Sequence, residues 1–160
     1  MTIQAGDALP AGVFGVMTDA GPGAISTDEL FAGKKVVLVS VPGAFTPTCS
    51  ASHLPGFVKQ ADELLAKGVD AIAFMSVNDV FVMDAWGKDQ NVGSKVTMLA
   101  DGNGEYAKAL DLEMDGSAFG MGTRAQRFAM IVDDGTATHV AVEAPGQFEV
   151  SKVEAILENL

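Results

Sequence analysis

Cysteine is almost absent from this 160-residue chain, which contains one, Cys49. A single cysteine excludes an intrachain disulfide and a structural zinc site built on cysteines. Basic residues are also scarce, with 10 Lys and Arg against 21 Asp and Glu, and the net charge of -11 repels nucleic-acid phosphates. We therefore expect no nucleic-acid partner. A lone free thiol favours a reducing compartment, the cytoplasm.

Long hydrophobic runs are missing as well, and no apolar stretch approaches the ~18 residues of a membrane-spanning helix. Residues 1–7 have neither the basic residues nor the apolar stretch of a secretory signal. We therefore expect neither a membrane association nor a leader. The chain is nevertheless 48% hydrophobic and has no repeat or low-complexity linker, which predicts one compact domain over residues 1–160.

Strand-like and helix-like segments alternate along most of the chain. Runs of β-branched and apolar residues predict buried strands, and an apolar period of ~3.6 residues predicts helices. The predicted strands cover 35–41, 70–77, 96–99, 127–133 and 137–142, with a hairpin turn at Asp134-Gly135 between the last two. The later helices are predicted at 80–89, 105–110 and 151–160, whereas residues 1–34 predict only short strands and turns. This order predicts an α/β, thioredoxin-like fold with a central mixed β-sheet flanked by helices on both faces.

The helix after the first predicted strand begins beside the cysteine. Thr46 is a favourable N-cap residue and Pro47 a favourable first helical residue, so Cys49 falls in the first turn. The helix is expected to end at Gly68, and Pro55 within it is expected to bend its axis. The apolar stripe expected to face the core consists of Leu54, Phe57, Val58, Ala61 and Leu65.

Cys49 is the candidate reactive residue. A free cysteine is usually a small buried hydrophobic residue. Cys49, however, follows the carboxyl end of a buried strand, which is where open α/β sheets place their sites. In a first helical turn, unpaired N–H groups and the helix dipole also favour a thiolate. The placement therefore predicts a reactive thiol.

The motif Pro42-x-x-x-Thr46-x-x-Cys49 resembles the active-site motif of peroxiredoxins, which are thiol peroxidases built on the thioredoxin fold. Segments 41–50 and 53–57 are similar to one subfamily, the peroxiredoxin-5 or type II group. The similarity continues at 76–79, 85–87 and 127–130, so it extends almost from end to end.

The resemblance implies a role for each residue of the candidate site. Cys49 would be the peroxidatic cysteine, which attacks a peroxide oxygen and becomes a sulfenic acid. Thr46 would hydrogen-bond the sulfur and the bound peroxide. Arg127 would stabilise the thiolate and polarise the peroxide. Pro42 would shield the sulfur from water, and Gly43 would offer its backbone as a donor, although Pro42-Gly43 is also explained as a simple turn.

The resemblance also implies the partners of the reaction. The substrates would be hydrogen peroxide and small alkyl hydroperoxides. Plant members of the group can carry a resolving cysteine in the strand before Ser-Val-Asn-Asp, but residues 73–76 contain none. An outside thiol would then resolve Cys49, either glutathione with glutaredoxin or thioredoxin. The family implies a homodimer, and no metal, flavin or haem is expected.

Two other functions would also use Cys49. A dithiol–disulfide oxidoreductase needs Cys-x-x-Cys, and Thr46 stands where its first cysteine would be. A redox sensor would need only the reactive Cys49. His53, one helical turn on, is either the partner of a Cys–His hydrolase pair or a structural residue, and no third orienting group is apparent.

Several further residues have two interpretations. Arg124 is either a second contact of the pocket or a solvated loop charge. The following large apolar residues belong either to the core or to an apolar rim and subunit contact: Phe45, Phe81, Trp86, Phe119 and Met121.

Overall fold

The computed structural model describes residues 1–160. The strands are β1 (Val13–Thr18), β2 (Gly21–Ser26), β3 (Lys35–Ser40), β4 (Ala71–Ser76), β5 (Thr97–Ala100), β6 (Glu113–Asp115), β7 (Thr123–Ala125), β8 (Phe128–Asp133) and β9 (Thr136–Val142). The α-helices are α1 (Thr27–Phe31), α2 (Leu54–Lys59), α3 (Ala61–Ala66), α4 (Val80–Asp89), α5 (Glu105–Ala109) and α6 (Val153–Glu158). A π-helix over Cys49–His53 precedes α2, and a 3-10 turn covers Ser117–Phe119. None of these helices has the length and apolarity needed to cross a membrane.

Seven strands form one mixed sheet in the order β2-β1-β5-β4-β3-β8-β9. β3 pairs in parallel with β4, and β4 with β5, whereas β8 is antiparallel to both β3 and β9. The separate pair β6-β7 forms a small second sheet. The predicted thioredoxin-like fold with a mixed sheet is confirmed.

Alternate residues of the central strand β3 enter two cores on opposite faces of the sheet. Val37 and Val39 pack in a core that includes residues of α2, α3, α4 and α6. Val36 and Leu38 pack in a second core with residues of α1 and α5. Because successive side chains of a strand point to opposite faces, a strand covered on both sides is apolar at every position. This is why the continuous run over β3 correctly predicts helices on both faces.

Strand register brings Arg127 to the motif that contains Cys49. Ser40 at the end of β3 pairs with Phe128 at the start of β8. The chain that leaves β3 carries Cys49, and Arg127 immediately precedes β8. The antiparallel pairing therefore places Arg127 beside the loop of Cys49, although 78 residues separate them in sequence.

The first 34 residues contain a helix that the sequence analysis does not predict. In α1, the Ser26 hydroxyl accepts from the Glu29 N–H at 3.1 Å, and the Glu29 carboxylate accepts from the Ser26 N–H at 3.1 Å. This is a capping box, and its Ser-x-x-Glu signature is visible in the sequence. The expectation of strands and turns alone is wrong here, because the cap and the burial of Leu30 and Phe31 stabilise a short helix.

The helix expected to run to Gly68 is divided. Gln60, with φ -106° and ψ 17°, ends α2 and precedes α3. The break turns the apolar stripe, so Leu64 is fully buried whereas Leu65 is 44% exposed. The expectation that Leu65 faces the core is therefore wrong. Pro55 lies inside the continuous helical run 47–59, as predicted, and the irregular hydrogen bonding falls in the π-helix immediately before it.

Candidate active site

Cys49 lies at the start of the π-helix and its side chain is fully buried. Pro47 and Thr48 before it are helical, and the Ser50 N–H donates to the Thr46 carbonyl at 2.9 Å. The predicted helix start at Pro47 is therefore correct. The predicted side-chain cap is wrong, because the Thr46 hydroxyl bonds to no first-turn N–H and instead contacts the Cys49 sulfur.

Two donors converge on the sulfur of Cys49. Thr46 Oγ1 lies 2.8 Å from Sγ, and Arg127 Nη2 lies 3.0 Å from it. Thr46 Oγ1 is also 2.7 Å from the Gly43 carbonyl oxygen. A hydroxyl has one proton, so it donates to a thiolate, or it accepts from a thiol and donates to the carbonyl. The same geometry therefore accommodates both protonation states of Cys49.

Arg127 divides its guanidinium between two partners. Nη2 donates to the Cys49 sulfur, and Nη1 donates to His53 Nδ1 at 2.7 Å. The guanidinium carbon also lies 5.9 Å from the centre of the Phe148 ring, within the range of a cation–π contact. These contacts fix the plane of the guanidinium, and its position beside the sulfur follows from that plane.

His53 is buried, and its two nitrogens have different partners. Nε2 lies 2.9 Å from the Ser151 carbonyl oxygen, which only accepts, so Nε2 carries the proton and Nδ1 accepts from Arg127. Burial lowers the pKa of His53 from 6.5 to about 3. The positive charge of Arg127 lowers the pKa further, while the Ser151 carbonyl and the Glu143 charge oppose the shift. His53 is therefore neutral near pH 7, and neither nitrogen is free to act as the base of a Cys–His hydrolase pair.

Pro42 and Gly43 form the turn between β3 and the cysteine helix. Pro42 borders the cleft next to the sulfur, whereas Gly43 is buried. A Cβ added to Gly43 would lie 3.1 Å from the Thr46 methyl carbon and 3.2 Å from the Met121 Cε. A side chain at position 43 would therefore require the Thr46 methyl group and the end of the Met121 side chain to shift by a few tenths of an ångström. The proposed donation by the Gly43 N–H to a bound peroxide stays a prediction.

A cleft of about 660 Å³ opens beside the two donors. Its lining includes Thr46 and Arg127 next to the sulfur, and much of the remaining wall is apolar, with Phe119, Met121 and Pro145 among its residues. The cleft therefore offers a polar end, at Thr46 and Arg127, and an apolar wall beside it.

Two residues of the site have no signal in the sequence. Glu143 is buried, and one of its carboxylate oxygens accepts from the Ser151 N–H at 2.8 Å, the Ser151 hydroxyl at 2.6 Å and the Glu149 N–H at 2.8 Å. Burial by itself would raise the pKa of Glu143, but these hydrogen bonds outweigh it and the pKa is lowered. Ser151 enters the site through its backbone carbonyl, which no residue pattern reveals.

Arg124 is not a solvated loop charge. Its Nε donates to the Met121 carbonyl at 2.8 Å and its Nη1 to the Val77 carbonyl at 3.1 Å. The side chain is half-buried and lies against Gly43. Arg124 thus ties the segment before β8 to the loop after β4 and supports the turn at Gly43.

Four of the five large apolar residues with two interpretations separate into two groups, and the fifth, Met121, is half-buried and lines the cleft. Trp86 is fully buried core, and its Nε1–H donates to the Ser50 hydroxyl at 2.9 Å. Phe45, Phe81 and Phe119 are 50%, 63% and 82% exposed. The core interpretation is therefore correct for Trp86 and wrong for the three phenylalanines. The Trp86 contact also couples a fluorescent side chain to the residue next to Cys49.

A cysteine held at a helix start by a hydroxyl and a guanidinium, on a thioredoxin-like fold, defines a thiol-dependent redox enzyme. The Redoxin family profile matches residues 4–157. Peroxiredoxin-2C of Oryza sativa subsp. japonica is 50% identical over 159 residues, which cover 99% of this chain and 98% of that protein. Peroxiredoxin-2B of Arabidopsis thaliana is 47% identical over 159 residues, with 99% and 98% covered. The crystal structure of reduced Prx3 from Vibrio vulnificus in complex with hydrogen peroxide superposes with a TM-score of 0.95 at 54% identity, covering 99% of both chains.

The chain belongs to the peroxiredoxins, and it is a thiol-dependent peroxidase with an antioxidant function.

Proposed function

We propose that Cys49 is the peroxidatic cysteine of a one-cysteine peroxiredoxin of the type II, or peroxiredoxin-5, group. The observation that carries the proposal is the pair of donors, Thr46 and Arg127, on the sulfur of the single cysteine, at the edge of a cleft. The substrates are hydrogen peroxide and small alkyl hydroperoxides.

The proposed step is a displacement at oxygen. The Cys49 thiolate attacks one oxygen of the hydroperoxide, an S–O bond forms and the O–O bond breaks. The sulfur is oxidised to a sulfenic acid that keeps the hydroperoxide proton. The other oxygen leaves as hydroxide or alkoxide and takes a proton from solvent to give water or an alcohol. Negative charge moves from sulfur to the leaving oxygen during the step, so the donors that hold the sulfur are near the atoms that acquire charge.

Ionisation of the thiol supplies only part of the rate. An ordinary cysteine with a pKa of ~8.5 is about 3% thiolate at pH 7, so complete ionisation accelerates attack by about 30-fold. A thiolate of lower basicity is also a weaker nucleophile. Any larger acceleration has to come from hydrogen bonds that strengthen as the O–O bond breaks. Thr46 Oγ1 and Arg127 Nη2 are the side-chain donors in position to supply them.

The proposed substrate range follows from the cleft. Hydrogen peroxide needs only the polar end beside Thr46 and Arg127. The organic group of an alkyl hydroperoxide would lie against the apolar wall that includes Phe119, Met121 and Pro145. The chemistry uses sulfur alone, and we propose that no metal, flavin or haem takes part.

An external thiol completes the proposed cycle. The sulfenic acid condenses with one thiol to form a mixed disulfide and water, and a second thiol attacks that disulfide and releases Cys49. Glutathione with glutaredoxin, or thioredoxin, would supply the two electrons. The absence of a second cysteine supports an outside reductant, and without one the sulfenic acid is exposed to further oxidation to a sulfinic acid.

We also propose a homodimer that works in the cytoplasm. The exposed rings of Phe45, Phe81 and Phe119 are the apolar surface that such a dimer would cover. The Ala44 N–H donates to the Asn78 side chain at 3.0 Å, which holds the Phe45 loop near the start of α4. The free Cys49 supports a reducing compartment.

The test is single-turnover kinetics of the reduced protein with hydrogen peroxide, followed by Trp86 fluorescence and by loss of the thiol. We expect a second-order rate constant more than about 30-fold above that of free cysteine at pH 7, the limit that ionisation sets. The Cys49→Ser variant is the control and should be folded and inactive. A wild-type rate constant within the ionisation limit would refute peroxide activation at this site.

A second measurement identifies the reductant. Steady-state turnover is compared with glutathione plus glutaredoxin and with thioredoxin plus its reductase, each at the same peroxide concentration. Turnover with either system supports resolution by an outside thiol. Turnover with neither, in a protein that reacts rapidly in the first cycle, would contradict both reductant assignments.

A further inference from the structure

We propose that Glu143, Ser151 and His53 form a positioning relay that holds Arg127 on the Cys49 sulfur. The inference rests on the proposed function, because Arg127 matters here as a donor to the reacting atoms. His53, Ser151 and Glu143 do not touch those atoms, and each acts through the next residue of the relay.

The relay is a continuous series of hydrogen bonds. The Glu143 carboxylate accepts from both the N–H and the hydroxyl of Ser151, at 2.8 and 2.6 Å. The Ser151 carbonyl accepts from His53 Nε2–H at 2.9 Å, and His53 Nδ1 accepts from Arg127 Nη1 at 2.7 Å. Arg127 Nη2 then donates to the sulfur at 3.0 Å. Each link removes a rotational freedom of the next residue, so the guanidinium enters the reaction already oriented.

The tautomer of His53 is the critical link. A neutral imidazole has one N–H and one lone pair, and Arg127 requires the lone pair at Nδ1. The Ser151 carbonyl secures it, because an acceptor at Nε2 keeps the proton there. Glu143 in turn fixes the orientation of that carbonyl, because its carboxylate accepts from both the N–H and the hydroxyl of Ser151. The Glu143 carboxylate, acting through Ser151, therefore sets which nitrogen of His53 faces Arg127.

A neutral partner also preserves the charge that Arg127 presents to the sulfur. The only side-chain ion pair in the protein joins Lys88 to Asp84, so no carboxylate pairs with Arg127. Glu143 orients the guanidinium through Ser151 and His53 without contacting it. The positive charge then remains available to the thiolate and to the leaving oxygen, where it stabilises developing negative charge.

The relay passes through one segment, residues 143–151, which we name the C-terminal strap. The Glu143 N–H donates to the Arg127 carbonyl at 3.0 Å, so the strap begins at the backbone of the arginine that it orients. Phe148 in the middle of the strap packs edge-on against the His53 ring, with 5.0 Å between ring centres, and lies under the Arg127 guanidinium. The strap thus contacts both members of the His53–Arg127 pair.

Two substitutions of His53, each of which keeps one of its two hydrogen bonds, distinguish positioning of Arg127 from simple structural support. In His53→Asn the amide oxygen occupies the place of Nδ1 and can accept from Arg127, but the donor to Ser151 is lost. In His53→Gln the amide nitrogen occupies the place of Nε2 and can donate to Ser151, but the acceptor for Arg127 is lost. Positioning predicts the higher peroxide rate for His53→Asn, whichever variant is the more stable.

The readout compares two reactions of the same sulfur. The rate constant with hydrogen peroxide depends on Arg127 as a donor to the peroxide, whereas alkylation by iodoacetamide depends on the thiolate and its access. For His53→Gln we expect the peroxide rate constant to fall about 100-fold, the cost of a misplacement of about 1 Å, with a much smaller change in alkylation. Urea unfolding, followed by Trp86 fluorescence, shows that each variant is folded under the assay conditions.

The far end of the relay is tested without altering His53. Glu143→Gln is expected to slow the peroxide reaction roughly tenfold in the wild-type background, a coupling typical of one hydrogen-bond network. The same substitution should have little further effect in His53→Gln, where the connection to Arg127 is already broken. Glu149→Gln is the matched control: it removes the same charge from an exposed side chain of the strap and should leave the rate unchanged.

The outcomes separate the relay from the proposed function. Equal peroxide rates for His53→Asn and His53→Gln, or an undiminished effect of Glu143→Gln in the His53→Gln background, would overturn the relay. Either result is compatible with a wild-type enzyme that reacts far faster than free cysteine. A wild-type protein that does not exceed the ionisation limit would instead overturn the proposed function and, with it, the need to position Arg127.

Discussion

Acid should destabilise this protein through one buried side chain, His53. In the folded protein the pKa of His53 is about 3, against an ordinary value of 6.5, and the largest cause is burial. Between these two values the unfolded chain binds a proton at residue 53 and the folded chain does not. Protons therefore favour unfolding, and the free energy of unfolding falls as the pH is lowered below 6.5.

The magnitude follows from the width of the interval. Each pH unit between the two pKa values changes the free energy of unfolding by about 1.4 kcal/mol. At pH 5 the loss amounts to about 2 kcal/mol, which lowers the Tm of a domain of this size by roughly 4–8 °C. The charged groups that act on His53 are Arg127, which opposes its protonation, and Glu143, which favours it. The pKa of Glu143 is lowered from 4.5, so Glu143 stays ionised in the folded protein at pH 5.

Urea unfolding at a series of pH values between 7.5 and 5, with Cys49 kept reduced, measures the effect. His53→Gln is expected to be less stable than wild type at neutral pH but to lose less stability on acidification. His139→Gln removes the other histidine, a half-buried residue of β9, and should retain the wild-type pH dependence. Parallel pH profiles for the wild type and His53→Gln would show that residue 53 titrates normally, and would refute the neutral, buried imidazole.

The other expectations concern the donors and the exposed rings. Thr46→Val should slow the peroxide reaction by about 100-fold, as loss of one preorganised donor does, and Thr46→Ser should restore it. The same Thr46→Val change should cost about 1 kcal/mol of stability through the lost hydrogen bond to the Gly43 carbonyl and not through a lost N-cap, because the hydroxyl caps no N–H; unchanged stability in urea would contradict that bond. Arg127→Lys should slow peroxide attack more than alkylation, since a single ammonium cannot bridge the sulfur and His53; an equal loss in the two reactions would contradict this role. Phe81→Glu should weaken self-association in sedimentation experiments, and a wild-type protein that stays monomeric at high concentration would exclude the proposed dimer.

The elements that the sequence predicts well are those set by local pattern. The observed helix α4, Val80–Asp89, coincides with the prediction, because Asp79 caps it and a 3.6-residue apolar period continues through it. The helix start at Pro47 is also local, since proline is suited to a first helical position. α1 could have been predicted on the same grounds, because the reciprocal Ser26–Glu29 cap is a local signal. The placement of Cys49 after a buried strand and at a helix start can thus be predicted from the sequence.

Features that depend on how segments meet are less accessible. Whether Leu64 or Leu65 faces the core was decided by the break at Gln60, because one residue of rotation changes the buried face of a helix. The exposure of Phe45, Phe81 and Phe119 likewise cannot be predicted from their types, since aromatic residues are usually buried.

The sequence by itself determined the reactive cysteine, the alternation of strands and helices and the motif that contains Thr46. Only the tertiary structure decided what orients Arg127. His53 and Ser151 are 98 residues apart, and their bond uses a backbone carbonyl, a group that every residue has. Glu143 is one of many acidic residues, and it acquires its role because the strap folds back over the end of β9. Such contacts depend on the packing of distant segments, so local patterns of residue type do not reveal them.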